Sequence, residues 1–347
     1  MRQGKYVIEF ESRPSVVGWS SVVSKKEGNG PLGSGFDMVI EDPLFGQKSW
    51  ERAECEFHEK AIGILLDKTG ISDSEVDISY AGDLLNQCSS SGFCLRDYNI
   101  PLCGVYGACS TSVLTMINSA VAVESGLMRR CIASTSSHFC SAEKQFRYPL
   151  EYGGQRPPTS QWTVTGAAAA MICAESEKNC PKIEKAIIGR VIDKGVTDAN
   201  NMGAAMAPAA AQTIADFLND TGTCPEDYDI ILTGDLGNVG SELLYELTEK
   251  EFGISIRDRH NDAGMMMYYI GKQDVHSGGS GCACCGTVMC SKILNELNNG
   301  TLKNALIVAT GALLSTVSSF QGESIPSVAH GILIRGRENG NEQDRMS

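Results

Sequence analysis

The stretch that decides the fold is residues 66–86, LDKTGISDSEVDISYAGDLLN, which returns 152 residues later as residues 218–238, LNDTGTCPEDYDIILTGDLGN. Nine of the 21 positions are identical without a gap. Each copy indicates the end of a helix, a Thr-Gly stop, a buried strand and a Gly-Asp turn. Two copies predict a pair of related α/β halves, and a site is expected where the halves meet.

The two halves continue differently after this shared skeleton. The first runs into residues 104–112 (GVYGACSTS), and the second into residues 276–282 (HSGGSGC). Each is a small-residue turn that feeds a helix, and each helix is followed by a buried strand. We expect the second-half counterpart of Cys109 near Ala283. The duplicated skeleton therefore carries a cysteine from one half and a histidine from the other.

Composition limits the possible functions of the chain. The 347 residues carry a net charge of −13, which argues against non-specific nucleic-acid binding and means that an anionic ligand would need a local cationic pocket. No run approaches the roughly 18 apolar residues of a membrane span, and the charged start is unlike a signal peptide. We expect an intracellular protein whose membrane association would have to be peripheral.

Hydrophobic patterns along the chain predict alternating helices and strands. We expect a first half at 1–178, a second half at 179–336 and a disordered tail at 337–347. Within them, strands are predicted at 5–10, 77–81, 130–134, 165–174, 185–192 and 305–309, and helices at 49–68 and 209–218. A second apolar stretch lies at 16–24. Residues 139–165 are predicted to be irregular, as a binding lid or as a loop at an interface with a partner subunit.

Cys109 is the candidate nucleophile. A thiol at a helix start lies at the positive end of the helix dipole, which predicts a lowered pKa and an acylatable sulfur. The alternative is a buried structural cysteine, since 13 other cysteines are present. The cluster Cys282, Cys284 and Cys285 indicates small buried hydrophobes rather than a metal site, because adjacent helix positions point to different faces. We expect no metal and no cofactor.

Three further residue types are candidates for the site. His276 precedes a glycine-rich turn, as a base or hydrogen-bond donor, or simply as a cap. Asp235 ends the second Gly-Asp turn and either caps that turn, like Asp83 in the first, or faces the cavity. Arg147 and Arg156 lie in the irregular stretch, where a guanidinium suits a carboxylate ligand or an exposed salt bridge equally well.

These motifs together resemble the thiolase fold, the group of thiolases and 3-oxoacyl-acyl-carrier-protein synthases. Residues 107–110 (GACS) resemble its nucleophile turn, residues 276–281 (HSGGSG) its histidine loop, and residues 310–312 (TGA) its late glycine turn. The resemblance implies two βαβαβ-type halves in an α/β/α/β/α arrangement. It also implies a homodimer, formed by pairing sheet edges near residues 101–105.

A closer resemblance covers nearly the whole chain. Residues 107–112, 148–159 (YPLEYGGQRPPT), 161–166 (QWTVTG) and 233–237 (TGDLG) are similar to the stage V sporulation protein AD family. This resemblance implies a protein of spore-forming bacteria, peripheral at the inner spore membrane. It implies binding of dipicolinic acid, alone or as its calcium chelate, and action with membrane proteins of the same operon.

One departure separates this chain from the condensing enzymes. They place a histidine in the second-half turn where this chain has Asp235. A carboxylate cannot donate a hydrogen bond to an oxyanion, and its charge would oppose one. We therefore predict a dipicolinate-binding protein with no condensing activity and a degenerate site lined by Cys109, His276 and Asp235, with Arg147 and Arg156 as carboxylate partners. The alternative is an acyl-transfer or condensing enzyme that uses Cys109.

Overall fold

A computed structural model describes residues 1–146, 156–174 and 180–337. Its strands are β1 (Arg2–Gln3), β2 (Val7–Glu9), β3 (Ser15–Ser24), β4 (Met38–Ile40), β5 (Ile78–Gly82), β6 (Leu102–Gly104), β7 (Arg130–Ser137), β8 (Trp162–Thr163), β9 (Gly166–Cys173), β10 (Lys182–Ile187), β11 (Ile230–Thr233), β12 (His260–Asp262), β13 (Gly279–Ser280), β14 (Asn304–Ala312) and β15 (Ser327–Arg335).

The helices of this part of the chain are α1 (Lys25–Gly28), α2 (Trp50–Thr69), α3 (Ser89–Leu95), α4 (Thr111–Glu124), α5 (Phe139–Phe146), α6 (Met202–Thr221), α7 (Gly237–Phe252), α8 (Ala263–Met267), α9 (Cys282–Val288), α10 (Leu294–Asn299) and α11 (Thr316–Phe320). A π-helical turn, Met289–Ile293, joins α9 to α10. The predicted elements are present. Most bounds shift by three residues or fewer, but the helix predicted at 209–218 begins at Met202 and the strand predicted at 185–192 ends at Ile187.

The strand order confirms the duplication that the repeat predicts. One run of strands is β3-β9-β7-β5-β6, and the other is β10-β15-β14-β11-β12. In both runs the first two pairings are antiparallel and the last two are parallel. A single pairing, Lys182 with Ser15, joins the two runs. The repeated segments supply β5 and β11, which hold the same place in each half.

The Thr-Gly stops of the repeat end two equivalent helices. Thr69 at the end of α2 donates its hydroxyl to the Leu65 carbonyl, and Thr221 at the end of α6 donates to the Phe217 carbonyl. The glycine after each threonine adopts a left-handed conformation, with φ of 67° at Gly70 and 65° at Gly222. Glycine adopts that conformation without the strain of a Cβ atom, so both helices stop at the same point of the repeat.

Three hydrophobic cores pack the layers of the fold together. On β9, alternate residues face opposite sides: Ala167, Ala169 and Met171 pack with α2, whereas Ala168, Ala170 and Ile172 face the central helices. The central core also contains Val113 of α4 and the inner face of β14 and β15, and the third core packs α6 on the outer face of those strands. The α/β/α/β/α arrangement is confirmed.

Small residues let the central helix α9 approach the first-half sheet closely. A Cβ atom added at Gly286 would lie 3.0 Å from the Thr135 hydroxyl and 3.1 Å from Cβ of Ala168. The neighbouring side chains of Cys282, Cys284 and Cys285 are fully buried. The cysteine-rich start of α9 therefore packs as small hydrophobic residues in the middle of the molecule.

Three sequence-based expectations concern residues 139–165, the boundary between the halves and the C-terminal tail. Residues 139–165 are not irregular throughout, because 139–146 form α5 and 162–163 form β8, which pairs in parallel with β13. The boundary predicted between 178 and 179 falls in residues 175–179, outside the described residues. Nearly all of the predicted tail, residues 338–347, also lies outside them, so both remain predictions.

Candidate functional site

Cys109 lies in a tight turn that joins β6 to α4. Ala108 has a φ of 50°, a conformation that residues with a Cβ atom seldom adopt. The turn is held by the Thr111 hydroxyl, which accepts from the Gly107 amide at 3.0 Å and donates to the Ala108 carbonyl at 2.6 Å. The strained backbone places Cys109 two residues before the first helical residue, at the boundary between the two halves.

The second half contributes Ser280 to the same place. Ser280 ends β13, and Gly281, with a φ of 100°, turns the chain into α9. The Sγ of Cys109 lies 3.8 Å from the Oγ of Ser280. Both residues stand two positions before the first residue of their helix. The expected counterpart of Cys109 near Ala283 is therefore wrong by three residues, and the counterpart is Ser280.

Asp235 is buried beneath this contact. Its carboxylate accepts hydrogen bonds from the Thr310 hydroxyl at 2.7 Å, the Ser280 hydroxyl at 2.9 Å and the Gly281 amide at 3.1 Å. Burial raises the pKa of Asp235, and these hydrogen bonds, with one from the Cys109 thiol, oppose the rise. The second Gly-Asp turn thus aims its carboxylate at the candidate nucleophile.

Asp83, the first-half equivalent of Asp235, has a different role. It accepts from the Leu85 amide at 2.9 Å and from the amide and hydroxyl of Ser91 at 2.8 and 2.7 Å. These bonds hold its own turn and the start of α3. The two aspartates of the repeat have therefore diverged, and Asp235 is the one that faces the cysteine.

The thiol of Cys109 is held protonated. Burial raises its pKa well above the usual range, and the negative charge of Asp235 raises it further. The prediction that the helix start lowers this pKa is wrong, because desolvation and a neighbouring carboxylate outweigh a helix dipole of about 0.5 charge. A protonated thiol is a poor nucleophile, so this turn positions a sulfur without activating it.

A cavity of about 760 Å³ opens beside Cys109. Its walls come from the turn after β5, the Cys109 turn, α5 and the segment after β14. The lining residues are Leu84, Leu85, Asn86, Gln87, Cys88, Tyr106, Ala108, Cys109, Ala142, Lys144, Gln145, Met202, Ala312, Leu313, Leu314, Ser315, Thr316, Val317 and Phe320. The volume is in the range of small-molecule sites.

His276 does not join this cavity. It is exposed, has a φ of 52°, and its Nε2 lies 3.4 Å from Oδ1 of Asp274. The chain passes through β13 before α9 begins, so the residue that reaches Cys109 is Ser280, four positions later. The expectation that Cys109 and His276 reach one pocket is therefore wrong. Counting back from the predicted start of α9 would have found Ser280.

Arg156 is placed beside His276 rather than beside Cys109. Its Nη2 lies 2.5 Å from Oδ2 of Asp274, and its guanidinium covers the Trp162 ring at 4.7 Å. The side chain is only 8% exposed, so it is not a solvated surface salt bridge. Arg147, the other predicted carboxylate partner, lies outside the described residues. The four described candidates thus form two pairs, Cys109 with Asp235 and Arg156 with His276.

Three further findings concern the cysteines, the metal-ligating side chains and the helices. All 14 cysteines fall in the described part of the chain and are free thiols. In that part, no cluster of three or more histidine, cysteine, aspartate or glutamate side chains is arranged to hold a metal ion. Nor does any helix there have the length and apolar character needed to cross a membrane.

Solved structures of other proteins superpose on nearly the whole chain. A 3-oxoacyl-[acyl-carrier-protein] synthase III from Aquifex aeolicus superposes with a TM-score of 0.55 at 11% identity, over 93% of this chain and 99% of its own. OleA from Xanthomonas campestris with bound cerulenin superposes with a TM-score of 0.59 at 13% identity, over 94% and 98%. Identity this low shows the fold alone.

Sequence comparison is more specific. The family model described as Stage V sporulation protein AD matches residues 4–335. Stage V sporulation protein AD of Bacillus subtilis is 42% identical over 331 residues, which cover 95% of this chain and 97% of that protein. The chain belongs to the stage V sporulation protein AD family, built on a thiolase-like fold.

Proposed function

We propose that this chain is a dipicolinate-binding protein of spore formation that performs no condensation. The observation that carries the proposal is the carboxylate of Asp235 beneath the thiol of Cys109. Membership of the sporulation family supports a role in spore formation. The resemblance of the sequence to that family implies dipicolinate as the ligand. The fold of a condensing enzyme is kept, while the chemistry at its nucleophile turn is changed.

The argument against condensation is electrostatic. To form a thioester, the enzyme must supply a thiolate. It must then stabilise the negative charge that develops on an oxygen near the sulfur. Here the pKa of Cys109 is raised by burial and by Asp235, and the group nearest the thiol is an acceptor. A buried carboxylate that is hydrogen-bonded to the thiol opposes both steps, so the turn suits a binding site better than a catalytic one.

The argument for binding rests on two cavities and on the cationic side chains near them. Two cavities of about 760 and 550 Å³ lie on either side of α5, and both have the size of small-molecule sites. The sequence-based candidates sit next to them: Cys109 and Asp235 at the larger one, Arg156 and His276 by the smaller one. Dipicolinate is a flat ring with two carboxylates, so it needs an aromatic or apolar wall and a cation.

In this proposal the protein works as a homodimer on the surface of the inner spore membrane. It receives dipicolinate, alone or as its calcium chelate, and passes it to membrane proteins of the same operon. Nucleic acid is not a partner, because the net charge of −13 repels a phosphate backbone. The protein is then a ligand-delivery subunit with an inherited enzyme fold.

Calorimetry tests the binding step directly. Purified full-length protein is titrated with dipicolinate at moderate salt, with and without calcium, and its melting temperature is followed in parallel. We expect heat of binding and a rise in melting temperature, since a ligand at about 100 times its Kd adds about 2.7 kcal/mol to the free energy of unfolding. Neither heat nor a thermal shift at millimolar dipicolinate would contradict the proposal.

A further inference from the structure

A tight turn shortly after α8 exposes two large apolar side chains next to each other. The turn is formed by residues 269–272 (YIGK), all four of which are exposed. Tyr269 is 47% and Ile270 is 40% exposed, and no other two exposed large hydrophobic residues of the described part of the chain are adjacent in sequence. Single exposed hydrophobic residues are common on protein surfaces, whereas a pair beside a lysine indicates a contact surface.

The backbone of the turn is closed by hydrogen bonds. The Tyr269 carbonyl accepts from the amides of Lys272 and Gln273, both at 3.0 Å. Gly271 has a φ of 86°, in the left-handed region, where glycine avoids the strain of a Cβ atom. Ile270 and Gly271 lie between the bonded groups and therefore form the tip of the turn.

Both ends of the turn are fixed to α1. On one side, Tyr268 is buried and donates its hydroxyl to the buried carboxyl group of Glu27. On the other side, the Gln273 side chain accepts from the Tyr269 amide at 2.9 Å and donates to the Lys26 carbonyl at 2.8 Å. These contacts hold the turn against α1, so the exposure of its apolar side chains is a fixed property of the fold.

Four cationic side chains lie around this turn. The first is Lys272, in the turn itself. The Nζ of Lys26 and the guanidinium of Arg156 lie 3.4 and 4.7 Å from the centre of the Trp162 ring, which holds the two positive groups together. Lys25, also on α1, is the fourth. The cations thus come from three separate segments of the chain.

Carboxylates neutralise only part of this positive charge. Glu41 is paired with Lys25 at 2.7 Å, and Asp274 is paired with Arg156 at 2.5 Å. Burial raises the pKa of Glu27, the carboxyl group of α1, and so favours its neutral form. In the described part of the chain, the four cations are thus matched by two carboxylates. The surface around the turn is therefore positive, on a chain whose total charge is −13.

An anionic lipid bilayer matches both properties of this surface. Tyrosine rings are enriched at membrane–water interfaces, and an aliphatic side chain is stabilised when it enters the apolar region below the headgroups. Each lysine or arginine close to an anionic membrane strengthens binding about fivefold. The rest of the chain is strongly acidic and is repelled by such a membrane, so the turn also determines which face approaches it.

We infer that residues 269–272 form a membrane-contact turn that binds an anionic phospholipid surface. Tyr269 and Ile270 enter the headgroup region, and Lys26 and Lys272 lie against lipid phosphates. The inference rests on the proposed function, which puts the protein at the surface of the inner spore membrane, and it names the face that touches that membrane. Lipid alone supplies the apolar layer and the negative charge, so this contact requires no partner protein.

Sedimentation with lipid vesicles tests the inference. Full-length protein is mixed with vesicles of phosphatidylglycerol and phosphatidylcholine, or of phosphatidylcholine alone, at low and at physiological salt. We expect binding to the anionic vesicles only, and weaker binding at the higher salt because the charges are screened. Ile270→Ser and Lys272→Gln should each weaken it about fivefold or more, since one removes the apolar contact and the other a charge. Lys272→Arg keeps the charge and should bind like the natural chain.

Matched variants elsewhere on the surface are the controls. Leu127→Ser removes an apolar side chain that is 80% exposed, and Lys250→Gln removes a cation from the last turn of α7. Neither should change vesicle binding. Tyr269→Trp adds a reporter to the turn, and its fluorescence emission should shift to shorter wavelength with anionic vesicles as the ring enters the headgroup region.

The outcomes separate this inference from the proposed function. No sedimentation of the natural chain with anionic vesicles, or sedimentation that Ile270→Ser and Lys272→Gln leave unchanged, would overturn the inference. Binding to membranes of sporulating cells without binding to protein-free vesicles would also overturn it, and would assign the turn to a membrane protein. Calorimetry with dipicolinate does not depend on vesicles. A chain that binds vesicles but no dipicolinate would therefore overturn the proposed function and leave the membrane contact standing.

Discussion

The Sγ of Cys109 lies 3.8 Å from the Oγ of Ser280, and the two residues hold equivalent positions in the two halves. Each stands two residues before its central helix, so the paired helix starts meet at one point. Below them, Asp235 accepts from Ser280 at 2.9 Å and faces the thiol. The duplicated fold thus places a thiol, a hydroxyl and a carboxylate together where the halves join.

This arrangement predicts a slowly reacting Cys109. With the pKa of its thiol raised by burial and by Asp235, alkylation of Cys109 by iodoacetamide at pH 8 should be far slower than that of the exposed Cys224. Asp235→Asn removes the charge and keeps an acceptor for Ser280. It should lower the thiol pKa and accelerate alkylation of Cys109, measured by peptide mapping in a mass spectrometer.

Asp258→Asn is the control for that experiment, because Asp258 is an exposed aspartate far from the sulfur in sequence. It should leave the alkylation rate unchanged. If Cys109 reacts as fast as Cys224 in the natural chain, the thiol is not held protonated, and the electrostatic account of the site fails.

A second prediction concerns catalysis. Incubation with acetyl-CoA and an acyl acceptor should give neither a condensation product nor an acyl group on Cys109. Loss of a single oxyanion donor costs about 10²–10³ in rate in other enzymes, and here a carboxylate replaces the donor. Intact-mass analysis checks both points. Turnover that disappears in Cys109→Ala would instead establish an acyl-transfer enzyme.

Much of the fold could be predicted from sequence because the repeat fixes it twice. Residues 66–86 and 218–238 give the end of α2 and α6, the stops at Gly70 and Gly222, and the strands β5 and β11. Periodicity fails at α5, where a short helix sits in a segment rich in polar and aromatic residues. Local pattern cannot reveal a helix that is held by tertiary contacts.

The site was predictable only in part. The motif around Cys109 and the unusual Asp235 indicated two residues that the structure places together, because each follows a strand and a tight turn. His276 was misplaced because two residues of strand, β13, separate it from the start of α9. The grouping of Lys26 with Arg156 and Trp162 joins positions up to 136 residues apart in number, and no spacing rule indicates such a contact.

The free edge of β6 predicts the dimer interface. Among the described residues this strand ends the strand order, and Leu102 is partly exposed on it. The Pro101 carbonyl and the Val105 amide form hydrogen bonds with β5. Because successive residues of a strand point their backbone groups to opposite sides, the amide and carbonyl of Leu102 point away from β5, to the side without a neighbouring strand. Leu102→Pro should then remove an intersubunit donor without breaking the ladder with β5.

Light scattering checks this prediction. We expect the natural chain to give twice the mass of its 37.1 kDa protomer at micromolar concentration, and Leu102→Pro to shift towards the protomer. Leu127→Ala, which removes an exposed apolar side chain elsewhere, should remain a dimer. A protomer mass for the natural chain would contradict the prediction.

Glu54 predicts how stability depends on pH. It is fully buried on α2 and is bonded by the hydroxyls of Ser136 at 3.0 Å and Ser141 at 2.6 Å. Burial, and then the charge of Asp83, raise its pKa from 4.5 to about 8. Asp83 accepts three hydrogen bonds, so it is the partner that keeps the charge.

A carboxyl whose pKa is raised by folding binds its proton more tightly in the folded state. The free energy of unfolding therefore has its full value, as far as Glu54 is concerned, below pH 4.5. It falls as the pH rises from 4.5 to about 8 and does not change further above that pH. Glu54→Gln keeps the shape without the titration, so its stability relative to the natural chain should improve across that window, by up to about 1.4 kcal/mol per pH unit. Urea unfolding at several pH values between these limits measures the difference. A difference for Glu54→Gln that stays constant across this window would show that Glu54 is already ionised in the folded protein.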